Sequence, residues 1–468
     1  MGSRTLFVIA LALGLCLGRA TANESDWGAD GLGDDYFPTL GNGGYDVQHY
    51  TIDLTWNDQT DQISGTVTLI AQALQDLTRF NLDFVGYTIQ SLTVDEQPAD
   101  YTWVERELTV EPGTPLEAGD DFVLAVTYNG RPGKDLSEVY DVFARGWTRY
   151  TGGVYVVSEP SGASLWFPCN DHPLDKATYT FRITAPDRYV VAANGLLIET
   201  DNLPGPLTTT IWEASDPMAT YLATVNIGDF VIQQSVGPND LPIRNYFPAD
   251  LADSLTIEFA PTADMIAFFE TIFGPYPFEA YGAVVVDSPL RFALETQTLS
   301  LFGREIAVGR ADTENVIAHE LSHQWFGNSV SLAEWKDIWL NEGFATYASA
   351  LWFEHQRGAA ALAEIMDEYY VILKNVTNNG FTAPGNPPVN NLFNGGVYLR
   401  GAWTLHALRL EVGDAAFFNI LREYYNRFQG GNATTEDFIE VAESVSGQDL
   451  SALFDAWLFA SKLPEKPA

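Results

Sequence analysis

Apolar and polar residues along this chain follow two different periods. Between residues 45 and 230 apolar positions recur every second residue in short runs, at 50–56, 63–71, 122–128, 179–185 and 208–212. Period two puts alternate side chains on one face of a strand, so each run predicts a β-strand with one buried face. Asn129-Gly130 and Asn194-Gly195 act as turn formers between runs. Short strands at this spacing predict an antiparallel β-sandwich. Beyond residue 230 the period becomes helical, at 263–272, 312–326, 342–356, 359–374, 400–412, 414–427 and 435–446. One β-rich run, Ala283–Val286, precedes these helices, and Pro275, Pro277, Pro384, Pro387 and Pro388 punctuate the connections. The expected fold is multi-domain α+β, with a sandwich over 45–232 followed by a mostly helical unit over 233–468.

Residues 1–22 read as a secretory signal peptide. Arg4 precedes an apolar stretch at 6–17, and Ala20-Thr21-Ala22 supplies the small residues of a cleavage site after Ala22. The stretch falls short of the roughly 20 residues that span a bilayer, which favours a cleaved leader over an uncleaved anchor. No later segment qualifies as a span. The implied location is secreted or periplasmic. Residues 23–44 form an acidic, glycine-containing entry segment, read as flexible. Cys16 and Cys169 are the two cysteines, so loss of the leader leaves no internal disulfide to form. The formal charge of -38, from 24 Lys+Arg against 62 Asp+Glu, repels phosphate backbones and excludes a nucleic-acid partner.

The sharpest chemical signal is His319-Glu320-Leu321-Ser322-His323 inside the helical run at 312–326. Histidines four apart project from one helix face and can share a metal ion, while Glu320 between them is placed as general base for an attacking water. A catalytic zinc site takes three protein ligands and keeps one position open. Glu342 follows His323 with 18 residues between, and small neighbours Gly343, Ala345 and Ala348 would let its helix approach the first closely. A carboxylate beside two imidazoles suits a hydrolytic zinc site.

Four motifs in order make the chain resemble the gluzincin aminopeptidases of the M1 family, the group of aminopeptidase N and leukotriene A4 hydrolase. They are His319-Glu320-Leu321-Ser322-His323-Gln324-Trp325-Phe326-Gly327-Asn328, Asn341-Glu342-Gly343-Phe344-Ala345, Trp166-Phe167-Pro168-Cys169-Asn170-Asp171 and Tyr398-Leu399-Arg400-Gly401-Ala402. The resemblance runs from about residue 45 to the end and implies a thermolysin-like catalytic domain behind the sandwich. It implies one Zn2+ per chain held by His319, His323 and Glu342, with Glu320 as base and Tyr398 as catalytic phenol.

It further implies that Glu295, in Phe292-Ala293-Leu294-Glu295-Thr296, binds the free α-amine of a peptide, with Glu159 of Ser158-Glu159-Pro160 as a second acid. Phe292 and Thr296 depart from the family pattern and bear on pocket shape. Cys169 and His172 read as structural, and His49, His355 and His406 as packing or surface residues. The implied activity is release of N-terminal residues from peptides. A thermolysin-like endopeptidase and a secreted non-catalytic peptide-binding homologue are the alternatives. The 70 residues that follow Tyr398 are fewer than the large C-terminal helical domain of many relatives needs, which implies a more open site.

Overall fold

The computed structural model describes residues 26–132, 145–309, 312–376 and 382–467. The leader read at 1–22 lies outside them. Period-two runs become long strands whose inward residues are buried in alternation, as in Tyr45–Asn57, where Val47, Tyr50, Ile52, Leu54 and Trp56 face the core. An eight-stranded sheet runs in the order Leu196–Asn202, Leu207–Met218, Ala177–Pro186, Tyr45–Asn57, Gln62–Ala73, Asp121–Gly130, Thr88–Val94 and Gln97–Pro98. Its pairings are antiparallel except one: Tyr45–Asn57 and Ala177–Pro186 run parallel, with Tyr50 opposite Tyr179. Their rings stack at 5.0 Å, and Phe167 meets Tyr50 edge-on at 5.7 Å. A four-stranded sheet that includes Gly153–Val157 and Val225–Gly228 stands beside it, and it carries the chain to Glu159.

The second unit contains more strand than the helical pattern predicts. A five-stranded sheet runs in the order Phe230–Val236, Pro242–Pro248, Ala283–Val286, Ser300–Gly303 and Ala293–Leu294. Phe230–Val236 is an edge strand with five exposed residues, and Pro242–Pro248 buries the polar Arg244 and Asn245, so neither shows clean alternation. Phe230–Val236 pairs within this sheet. The expected boundary at 232 cuts through the strand.

Helices Thr262–Phe273, Thr313–Ser322, Trp339–Arg357, Ala359–Val376, Gly401–Val412, Asp414–Phe428 and Thr435–Ser446 pack against one another, and Trp339–Arg357 meets Thr313–Ser322, Ala359–Val376 and Gly401–Val412. Their core includes Trp325, Trp335, Trp339 and Phe344, all buried. No described helix is long and apolar enough to cross a membrane.

The entry segment departs from expectation. Phe37 and Leu40 are buried, and Asp34 is buried between the two units. Its Oδ2 accepts from the Trp335 backbone N–H at 2.7 Å and lies 3.2 Å from His172 Nε2. An acidic, glycine-containing stretch reads as flexible chain. Here its acid instead satisfies a buried donor in each unit.

Candidate active site

Helix Thr313–Ser322 carries His319 and Glu320 and ends just before His323, shorter than the run at 312–326 predicts. The chain turns away at Gly327, whose φ of +129° suits glycine, and an added Cβ would stand 3.1 Å from His323 Nδ1. The turn leaves the Phe326 carbonyl oxygen 3.1 Å from His323 Nδ1. A proton held on Nδ1 by that carbonyl leaves Nε2 with its lone pair free, as a metal ligand requires.

Glu342 stands in the first turn of Trp339–Arg357. Its Oε2 lies 3.1 Å from His319 Nε2 and 3.5 Å from His323 Nε2, and the two Nε2 atoms are 3.1 Å apart. Three ligand atoms thus converge on one point, with two imidazoles and a carboxylate as the donor set for zinc. Gly343 acts differently from expectation. An added Cβ there would stand 2.9 Å from the Gly401 Cα, so this glycine seats Trp339–Arg357 against Gly401–Val412 and not against the histidine helix.

Around the triad the structure gathers the other acids. Glu159, Glu295, Glu320 and Glu342 are each at most 6% exposed. One ligand atom each of Glu295, Glu320 and His323 also lie within 4.8 Å of one another. Burial pushes the Glu159 carboxyl well above the usual range, with Glu295 adding to the rise. Burial also pushes Glu320 far up, despite the opposing pull of His323. Glu342 goes the other way: burial raises it, but His323 and His319 together hold it at about 2. Burial opposes a charge on His323, yet Glu295 and Glu342 push it up to about 10. The cluster is short of positive charge. Glu159 Oε1 and Glu295 Oε1 are buried with no hydrogen-bond partner, as acids awaiting a cation would be. A dication at the triad fits this donor set and this charge.

The acids lie in a cleft of about 530 Å3, with Val157, Phe292, Val316, Tyr369, Phe393 and Leu399 as apolar walls. Tyr398 stands on its rim in a π-turn, Gly396–Arg400, with its ring nearly parallel to His319 at a centroid separation of 6.1 Å. Such turns favour functional positions because they push one residue out of helical register.

All seven residues singled out from the sequence line this one cleft. Sequence reasoning missed Gln324 and Asn328, whose side-chain amides donate to the Glu295 carbonyl at 3.1 and 2.7 Å. Both lie inside a quoted motif, but nothing in their spacing reveals the partner. His172 and Cys169 are buried structural residues, His355 stacks on Phe268 at 4.4 Å, and His406 bonds Tyr347.

Comparison with known proteins bears on the whole arrangement. A solved M1 zinc metallopeptidase from Deinococcus radiodurans superposes with a TM-score of 0.83 at 33% identity, covering 94% of this chain and 99% of that one. A mutant of that protein, solved with a Tyr-Ser-Ala substrate, gives a TM-score of 0.84 at 33% identity, covering 94% of this chain and 100% of that one. Aminopeptidase A of Gloydius brevicauda is 27% identical over 380 residues, 77% of this chain and 39% of its own length. The chain thus spans about two-fifths of that curated relative. The Peptidase M1 N-terminal domain model matches residues 46–222 and the Peptidase family M1 domain model residues 257–457. With two family models in order over most of its length and a superposable zinc metallopeptidase, the chain belongs to peptidase family M1.

Proposed function

We propose that the protein is a zinc-dependent aminopeptidase that hydrolyses the first peptide bond of peptides with a free α-amine. The observation that carries this reading is the pair of unpartnered, buried carboxylate oxygens of Glu159 and Glu295 beside the histidine–glutamate triad. An ammonium group supplies what both lack, and its capture there limits how far into the substrate the reacting centre lies. His319, His323 and Glu342 would hold the zinc, which when bound acts as a Lewis acid on the scissile carbonyl. Glu320 takes the proton of the attacking water and returns it to the leaving amine, a role suited to a carboxyl whose pKa is raised by burial. The Tyr398 phenol donates a hydrogen bond to the carbonyl oxygen as negative charge grows on it. The apolar walls exclude water and cover the substrate side chains.

The test uses matched aminoacyl and N-acetyl-aminoacyl reporters, with and without a chelator, on the parent protein and on Glu320→Gln. The expected result is cleavage of the free-amine reporter alone, lost with chelator and in the variant. Equal cleavage of the blocked reporter would establish an endopeptidase, and zinc-independent activity would remove the mechanism. A secreted or periplasmic location follows from the leader read at 1–22. A native N-terminus at Asn23 in exported protein would confirm it, whereas an intact Met1 would refute it.

A further inference from the structure

Asp175 and Lys176 immediately precede the strand Ala177–Pro186 of the eight-stranded sheet, and they face different units. The Asp175 carboxylate stays within the sandwich, where it accepts from the Val47 N–H at 3.1 Å and the Asn170 amide at 2.5 Å. Lys176 crosses to the catalytic unit. Its Nζ donates to the carbonyl oxygens of Asn328 at 3.0 Å, Ser329 at 2.9 Å and Gly431 at 3.0 Å, which uses all three ammonium donors. In a chain with 62 acids, this lysine is directed onto a turn of backbone.

That turn leads into the site. The Asn328 N–H bonds the carbonyl of the triad residue His323 at 3.0 Å, and the Asn328 amide grips the Glu295 carbonyl at 2.7 Å. Gln324 grips the same carbonyl and accepts from the Thr298 N–H at 2.9 Å, so the backbone from the Glu295 carbonyl to Thr298 hangs from residues 324–328. A second tie braces the seat: the Asn432 amide reaches the Pro173 carbonyl at 2.8 Å. Glu159 belongs to the sandwich and Glu295 to the catalytic sheet, so one ammonium ligand meets both only if the two units keep their register.

We propose that Lys176 is a positioning residue for recognition of the substrate amine. Its ammonium locks the Asn328–Ser329 turn to the sandwich and so sets the Glu295 carboxylate relative to Glu159. The proposal rests on the aminopeptidase reading above. Lys176 touches no substrate; it acts through Asn328.

The test measures binding as well as turnover. In zinc-loaded full-length Glu320→Gln protein, calorimetry gives Kd for the tripeptide Leu-Gly-Gly and for its N-acetyl derivative, with and without Lys176→Met. Lys176→Met is expected to weaken the free-amine peptide about ten-fold, leave the acetylated peptide unchanged and keep one zinc per chain. In the otherwise native enzyme it should raise KM by a similar factor with kcat changed less than about three-fold. Asp34→Asn loosens a different tie between the units and serves as the control, lowering Tm with KM unaltered. If Lys176→Met also lowers Tm alone, with Kd and KM unaltered, the lysine merely joins the units and the proposal falls. If Lys176→Met does not fold, Asn328→Ser breaks the next link and must give the same selective loss of Kd; unchanged affinity there overturns the proposal. Failure of the parent to distinguish the two peptides would instead sink the aminopeptidase reading itself.

Discussion

The two ends of the cleft are built in different ways. The metal end is local: two ligands stand one helical turn apart, the third opens a nearby helix, and all three belong to the catalytic unit. The end proposed to hold the substrate amine is assembled from distance. Glu159 arrives from a four-stranded sheet of the sandwich, Glu295 follows the short strand Ala293–Leu294, and Gln324 and Asn328 hold Glu295 in place by its backbone. Damage should therefore differ in kind. Loss at the metal end removes chemistry, and loss at the amine end removes selectivity.

The largest effect is expected from removing the metal. Chelation should abolish turnover of every reporter, a fall of at least about 10³-fold, and added zinc should restore it. Residual activity on free-amine reporters alone after chelation would mean that the amine end carries chemistry of its own, and the division would fail.

Next comes Glu295→Gln. An amide keeps the shape and removes the charge that an ammonium seeks, so KM for aminoacyl reporters should rise about 10²-fold while kcat falls much less. The discrimination against acetylated reporters should collapse with it. Glu159→Gln should do the same more weakly, since burial holds the Glu159 carboxyl well above the usual range and leaves it less charge to lose. A large kcat loss in either variant, with KM unchanged, would place that acid in the chemistry instead. The same charge predicts a preference. The described residues lining the cleft include no Lys or Arg, so a reporter headed by Glu should be cleaved at least about ten-fold less efficiently than one headed by Leu. Equal rates would show a cation reaching the substrate side chain.

This division also explains what the amino-acid sequence makes legible. His319, Glu320 and His323 announce themselves because a helix converts a spacing of four into a shared face, and Glu342 follows from its nearness in the chain. Glu159 and Glu295 have no such signature; a Glu before proline and a Glu after a two-residue strand are ordinary, and only resemblance to a family singled them out. Gln324, Asn328 and Lys176 act through backbone carbonyls, which leave no mark on residue type at the partner. The strand Pro242–Pro248 was hidden for a related reason, because Arg244 and Asn245 occupy buried positions where a core strand shows apolar residues. The entry segment reads as flexible because composition reports the average behaviour of acids, not the one, Asp34, that caps a buried N–H.

The smallest expected effect lies behind the metal end and tests whether the helices that carry it are independently sensitive to acid. His406, on Gly401–Val412, packs against Trp403 and bonds the Tyr347 hydroxyl at 3.1 Å. Burial, reinforced by the nearby Arg409 charge and opposed by Asp367, lowers its pKa to about 4. The unfolded chain, with an ordinary value of about 6.5, then binds a proton that the folded chain refuses. Stability contributed by neutral His406 is thus complete above pH 6.5 and is lost as pH falls towards 4. Since the ring is only partly buried, the loss should be modest, a few degrees in Tm between pH 7 and pH 5. His406→Gln should flatten that part of the profile while zinc content and KM at pH 7 stay as they were. An equally steep profile in the variant would move the acid sensitivity to other groups, and a changed KM would tie this helix to the amine end after all.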